Sequence, residues 1–191
     1  MSSSSIFTIG YGSRTIEQLI QLLKQYQIAY LIDVRSKPYS KHNPEFSKRE
    51  LQNNIEQANI RYVFMGDLLG GQPSVPSCYT KDGKIDYSKV REKDFYKRGI
   101  ERLRNAWNQR LSVVILCSEQ KPEMCHRSKL IGMSLTEARI PVEHIDENGK
   151  LVSQKDVMLR LSNGQHPLFE ESDRRYTSRK KYGSKGENNE K

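Results

Sequence analysis

The chain has 191 residues, enough for one domain with a sizeable core. Lysine and arginine total 32 against 23 acids, a net charge of +9, so the favoured partners are anionic, either a phosphate-bearing small molecule or nucleic acid. Three cysteines make no disulfide framework, and no apolar stretch approaches the ~18 residues of a membrane span, which excludes small disulfide-stapled and integral membrane classes.

Residues 1–5 carry neither a basic start nor an apolar run, so the expected compartment is the cytoplasm. Ile6 to Ile9 read as a buried strand closed by the turn Gly10-Tyr11-Gly12-Ser13. Thr15 with Gln18 forms a capping box, and Ile16, Leu19, Ile20, Leu23 and Tyr26 repeat at helical spacing. Tyr30 to Val34 is a second buried strand, running into Asp33-Val34-Arg35 and a polar loop. Ser47 with Glu50 is a second capping box, opening a helix with Leu51, Ile55 and Ala58 on its apolar face. Arg61 to Met65 is a third strand, followed by Leu68-Leu69-Gly70-Gly71.

Residues 72–91 show little periodicity and read as a long surface loop. A helix over about 92–108 turns Phe95, Ile100, Leu103 and Trp107 inward. Ser112 to Cys117 is the clearest strand, because Val113-Val114-Ile115-Leu116 is apolar without a break, as in strands covered on both faces. Pro122 opens a helix to about Ala138 that places Met124, Arg127, Ile131, Leu135 and Ala138 on one face. Pro141 to Ile145 is a fifth strand, Asp146 to Gly149 a turn, and Gln154 to Leu161 a short helix. The alternation implies an α/β fold, a three-layer doubly wound and mostly parallel sheet of about five strands. Residues 1–168 form this single domain, and residues 169–191 form a polar basic tail, expected to be disordered.

Ligands of open α/β sheets sit beyond the carboxyl ends of the strands. Those positions hold Gly10, Tyr11, Gly12 and Ser13, then Asp33, Arg35 and Ser36, then Gly70 and Gly71. The fourth strand supplies Cys117, Ser118 and Glu119, with Cys125, His126 and Arg127 at the next helix start, and the fifth supplies His144. Gly10-Tyr11-Gly12 begins like a dinucleotide fingerprint but has Thr15 at the third glycine, so a plain tight turn competes with phosphate binding. Arg127 near a helix start reads as an anion ligand or as a structural partner of Asp33 or Glu119. Glu119 and Asp33 are candidate bases or nucleophiles, His126 and His144 candidate proton carriers, and Cys117 and Cys125 candidate thiol nucleophiles or inert core cysteines. No metal or other cofactor is assigned: Cys117, Cys125, His126 and His144 form a conceivable zinc set, but paired CxxC spacing is missing.

Thr8-Ile9-Gly10-Tyr11-Gly12, Asp33-Val34-Arg35 with Pro38 and Ser40, Leu69-Gly70-Gly71, and Leu116-Cys117-Ser118-Glu119 before Cys125-His126-Arg127 and His144-Ile145 occur in one order and spacing. In these the chain resembles domain of unknown function family 488, over about residues 6 to 146. The resemblance implies a cytoplasmic, prokaryote-type domain and carries no settled activity. A looser similarity links Leu31-Ile32-Asp33-Val34-Arg35 and Leu116-Cys117 with Arg127-Ser128 to rhodanese-type sulfurtransferases and cysteine phosphatases. Their arginine lies a few residues after the cysteine, whereas Arg127 lies ten positions after Cys117, so the same tight anion cradle cannot form. The leading expectation is an enzyme acting on an anionic substrate, a phosphate-bearing compound, a nucleotide or a nucleic-acid end, by hydrolytic or group-transfer chemistry. The alternatives are a non-catalytic nucleic-acid-binding module and a rhodanese-like thiol enzyme.

Overall fold

A computed structural model of the chain describes residues 5–161 and 176–182. The chain runs β1 (Ile6–Gly10), α1 (Ile16–Gln25), β2 (Tyr30–Asp33), α2 (Lys48–Gln57), β3 (Arg61–Phe64), α3 (Gly66–Leu69), α4 (Tyr87–Arg91), α5 (Asp94–Asn108) and β4 (Val113–Cys117). A 3₁₀ turn (Pro122–Met124), a π-helical turn (Arg127–Gly132), α6 (Met133–Glu137), β5 (Val142–Ile145), β6 (Leu151–Ser153) and α7 (Gln154–Leu161) follow. The strands form one sheet in the order β3-β2-β4-β1-β5-β6, parallel throughout except for the β5–β6 pair. The expected α/β architecture is therefore present, with six strands where five were expected. Leu151–Ser153 are too few to show a strand period, and they pair because Asp146 accepts the amides of Asn148 and Lys150 and turns the chain back.

The alternating strand faces meet two separate apolar layers. Ile9, Leu31, Val114 and Leu116 pack against Leu19 and Leu23 of α1 and Leu51 and Ile55 of α2. Ile32, Val113, Ile115 and Cys117 pack on the other side with Leu103 of α5, Leu130 and Ile131 of the π-helical turn, and Leu135 of α6. Thr15 and Gln18 make the reciprocal cap of α1. At α2 the expected box does not form: the Ser47 hydroxyl instead accepts the Ser40 amide at 3.2 Å and anchors the preceding loop.

Residues 72–91, read as a surface loop, carry buried Cys78, Ile85, Tyr87 and Val90, and the Asp86 carboxylate caps α4. On α5 the fully inward residues are Tyr96, Gly99 and Leu103, while Phe95, Ile100 and Trp107 are only partly covered. The helix expected from Pro122 to Ala138 is broken at Cys125, whose φ of −122° and ψ of 151° are extended. Of the expected inward face, Arg127, Ile131 and Leu135 are buried, whereas Met124 and Ala138 at its ends are exposed.

Part of the stretch read as a disordered tail is folded onto the domain. The Ser178 amide donates to Ile85 O at 2.9 Å, the Tyr182 amide donates to Gly83 O at 2.7 Å, and Thr177 bridges Asp86. The Lys129 ammonium donates to Thr177 O at 3.0 Å. Residues 169–175 and 183–191, with His166, lie outside the described residues. Among the described residues, no helix is long and apolar enough to cross a membrane.

Candidate active site

From β1 the chain crosses toward β2, and from β4 it crosses the opposite way toward β5, so the β1–β4 pair is the switch point at which doubly wound sheets open a crevice. The two strand ends are locked together: the amides of Tyr11 and Gly12 donate to the carbonyls of Cys117 and Ser118 at 3.1 and 3.0 Å. The Tyr11 and Gly12 amides are therefore used to hold the β4 exit, as in the tight-turn reading. A Cβ on Gly10 would lie 1.7 Å from Glu119 O and 2.3 Å from Arg127 Nη1, so only glycine lets the β4 exit pass this closely.

Beyond this junction opens a cavity of about 150 Å³. Its floor is Cys117, Glu119, Cys125 and His126. Cys117 Sγ lies 3.0 Å from Glu119 Oε2, and Cys125 Sγ 3.4 Å from the same oxygen. His126 Nδ1 lies 3.7 Å from Cys117 Sγ and 3.6 Å from Cys125 Sγ. The 3₁₀ turn and the extended residue at 125 create this convergence, because they swing a second thiol and an imidazole back over the end of β4. Gly71 closes one side, where a Cβ would lie 2.7 Å from His126 Nδ1.

Proton sharing follows from the packing. Cys125 hydrogen-bonds to Cys117 and, against the cost of burial and aided by His126, holds the Cys117 thiol well below the usual thiol range. Burial, and then Cys117 itself, push Cys125 up. Burial and the neighbouring Cys117 also raise the Glu119 carboxyl. His126 loses from burial but gains more from Cys117, and its proton is held more tightly than usual. Of the two thiols, Cys117 gives up its proton the more readily and Cys125 holds its own, while Glu119 and His126 both keep a proton longer than usual.

The walls are aromatic and cationic. Tyr11 stacks on Phe46, ring centroids 4.2 Å apart, and Arg35 lies over the Tyr11 ring at 5.4 Å. Tyr39, Tyr87 and Tyr182 add further rings, and Lys37, Arg179 and Lys180 stand at the rim.

Several expected site residues have other tasks. Asp33 is fully buried and accepts a bidentate pair from Arg35 (2.9 and 2.7 Å) and the Tyr62 hydroxyl at 2.7 Å, so it is a scaffold acid. Arg35 lines the cavity and also donates to Phe46 O at 2.7 Å, but its pairing with Asp33 leaves its charge largely offset. Arg127 is fully buried behind the floor, where it donates to Glu119 O at 2.7 Å and Gln120 O at 2.8 Å. It clamps main chain and does not face the cavity, and its partners are carbonyls instead of the expected acids. His144 is buried between Thr8 Oγ1 and Gln154 Oε1, both at 2.6 Å. Burial pushes it down to about 3, so it is a neutral packing histidine and no proton carrier at neutral pH. Ser13 lines a separate hollow with Arg14 and Gln18, and Gly10, Gly12 and Gly70 act through close backbone approach.

The structure thus brings Tyr11, Arg35, Gly71, Cys117, Glu119, Cys125 and His126 to one cavity. Sequence reasoning missed Tyr87, which sits in the supposed loop. It also missed Arg179, Lys180 and Tyr182 as wall residues, because a run of cations reads as a solvated face.

The comparison with protein families matches residues 15–133 to the family described as Domain of unknown function DUF488. The chain belongs to this family. The matched segment contains every floor residue of the cavity, while the rim residues Arg179 and Lys180 lie beyond it. Neither the curated proteins nor the solved structures gave a match.

Proposed function

We propose that this DUF488 protein is a group-transfer or hydrolytic enzyme whose nucleophile is the Cys117 thiolate and whose substrate is anionic. The observation that carries this reading is the contact of Cys117 with Glu119, Cys125 and His126 on the floor of a cavity rimmed by Lys37, Arg179 and Lys180. The rim draws in a phosphate-bearing or otherwise anionic compound, and the rings beside it offer stacking surfaces. Cys117 Sγ attacks the electrophilic centre, the bond to the leaving group breaks, and the Glu119 proton goes to that group. Water or a second acceptor then attacks the thio-adduct, Glu119 takes up the proton, and the thiolate returns. His126 stabilises the thiolate between turnovers. The buried, unbridged thiols fit a reducing compartment, the cytoplasm.

The test is a turnover panel on the reduced protein with p-nitrophenyl phosphate, nucleoside mono- and diphosphates, and thiosulfate with cyanide. Turnover abolished by Cys117→Ser and strongly reduced by Glu119→Gln supports the proposal. Turnover that survives Cys117→Ser contradicts it. Salt-sensitive nucleotide binding without turnover favours the non-catalytic module.

A further inference from the structure

The floor of the cavity has a second chemical meaning that does not depend on catalysis. Its donors are two thiols, one imidazole and one carboxylate, a set suited to a soft or borderline divalent cation. The separations are 3.0 and 3.4 Å from Glu119 Oε2 to the sulfurs, and 3.7 and 3.6 Å from His126 Nδ1 to the same sulfurs. The two sulfurs and the imidazole nitrogen all lie within 4.8 Å of one another. Donors placed about 2.0–2.3 Å from a tetrahedral centre sit roughly 3.3–3.8 Å apart, so Cys117, Cys125 and His126 need only small rotations to enclose an ion, and Glu119, in contact with both sulfurs, stands beside the fourth position.

The surroundings agree. Cys117, Cys125 and His126 are buried, which keeps competing water from the sulfurs. The Arg127 guanidinium is fully buried and donates only to carbonyls among the described residues, so its charge is free to balance two thiolates and a carboxylate around a dication. His144, the fourth member of the set weighed and not assigned from sequence, is excluded because both its ring nitrogens are already bonded. Glu119 takes that place.

We infer that Cys117, Cys125, His126 and Glu119 form a tetrahedral binding site for a single divalent ion of the zinc class. Glu119 is the weakest ligand for such an ion and the one exchangeable for water or an anionic ligand. Metal binding displaces the protons held among the two thiols and Glu119 and forms two metal–sulfur bonds, with no change in oxidation state. Because the bound metal occupies Cys117, zinc blocks that thiol against electrophiles. This consequence extends the nucleophile reading above, whereas the binding itself stands without it.

The experiment uses the full chain, reduced and stripped of metal, with thiol titration confirming three free cysteines. Anaerobic titration with Co²⁺ is expected to saturate at one ion per chain. It should develop a strong sulfur-to-cobalt charge-transfer band and the intense visible bands of tetrahedral cobalt, both erased by zinc. His126→Gln should weaken zinc binding by at least the roughly 10- to 100-fold that outer-shell losses cost at zinc sites. In parallel, zinc should protect Cys117 and Cys125, located by peptide mass spectrometry, from iodoacetamide in the unsubstituted protein. That readout stands even if a variant fails to fold. A titration with no charge-transfer band, an octahedral spectrum, or unchanged alkylation in zinc overturns the site. Binding confirmed while the turnover panel stays negative removes only the nucleophile reading, and turnover with no metal bound removes only this one.

Discussion

Substitution of Arg127 by methionine isolates what the guanidinium does, since methionine keeps most of the aliphatic stem. The side chain is fully buried and donates to the Glu119 and Gln120 carbonyls at 2.7 and 2.8 Å. Hydrogen bonds from a charged donor are worth about 1.5–3 kcal/mol each, so the two together contribute roughly 3–6 kcal/mol. Against this stands the desolvation of a cation that has no carboxylate partner among the described residues, a cost the variant recovers in part. The hydrogen bonds win, because the variant also strands two carbonyls at the turn that aims Glu119, and the net loss is about 3 kcal/mol. For a domain of this size that corresponds to a fall in Tm of roughly 6–12 °C. Equilibrium urea unfolding, followed by tryptophan fluorescence and circular dichroism, measures it. Wild-type stability combined with lost phosphate binding would refute the reasoning, because it would place the guanidinium in the cavity as an anion ligand.

Other expectations follow from the same geometry. Burial lowers His144 to about 3, against about 6.5 in the unfolded chain, so folding should be most stable above pH 6.5 and lose roughly 4–5 kcal/mol from this group as pH falls toward 3. Urea midpoints at several pH values should fall less steeply for His144→Gln, and parallel curves would show that the histidine is not held neutral. Gly71→Ala drives a Cβ to 2.7 Å from His126 Nδ1, so the imidazole should shift and Cys117 alkylation should slow, at a stability cost of about 1–3 kcal/mol. Unchanged alkylation would mean that His126 does not support the thiolate. Arg179→Ser with Lys180→Ser removes two exposed rim cations and should leave the fold intact while weakening nucleotide binding, as read by calorimetry at two salt concentrations. Equal affinity in wild type and variant would remove this segment from the site.

Much of the fold was legible because the strongest signals were local. The unbroken apolar run Val113–Leu116 is the central strand, and the Thr15–Gln18 box starts α1 as its spacing indicated. The strand-end rule also selected all four floor residues. What the sequence concealed depends on contacts between distant segments. Residues 176–182 are held mainly by main-chain hydrogen bonds to residues 83 and 85, which leave no side-chain period to detect. Asp33 was open to reading as a base because the sequence does not reveal that Arg35, two residues on, folds back to pair with it. Likewise Arg127 stood open between an anion ligand and a partner of Asp33 or Glu119, because its real partners are the carbonyls of a turn eight and seven residues earlier.

The central claim is that Cys117 is a reactive thiolate in an anion-attracting cavity. Comparing the rates at which anionic iodoacetate and neutral iodoacetamide label Cys117 tests it most directly, with buried Cys78 as the control within the same chain. Both rates are read by peptide mass spectrometry on the metal-free, reduced protein. The account predicts that Cys117 reacts faster than Cys78, that iodoacetate gains relative to iodoacetamide, and that added salt erases this gain. Labelling of Cys117 no faster than Cys78, or with no preference for the anionic reagent, would contradict it.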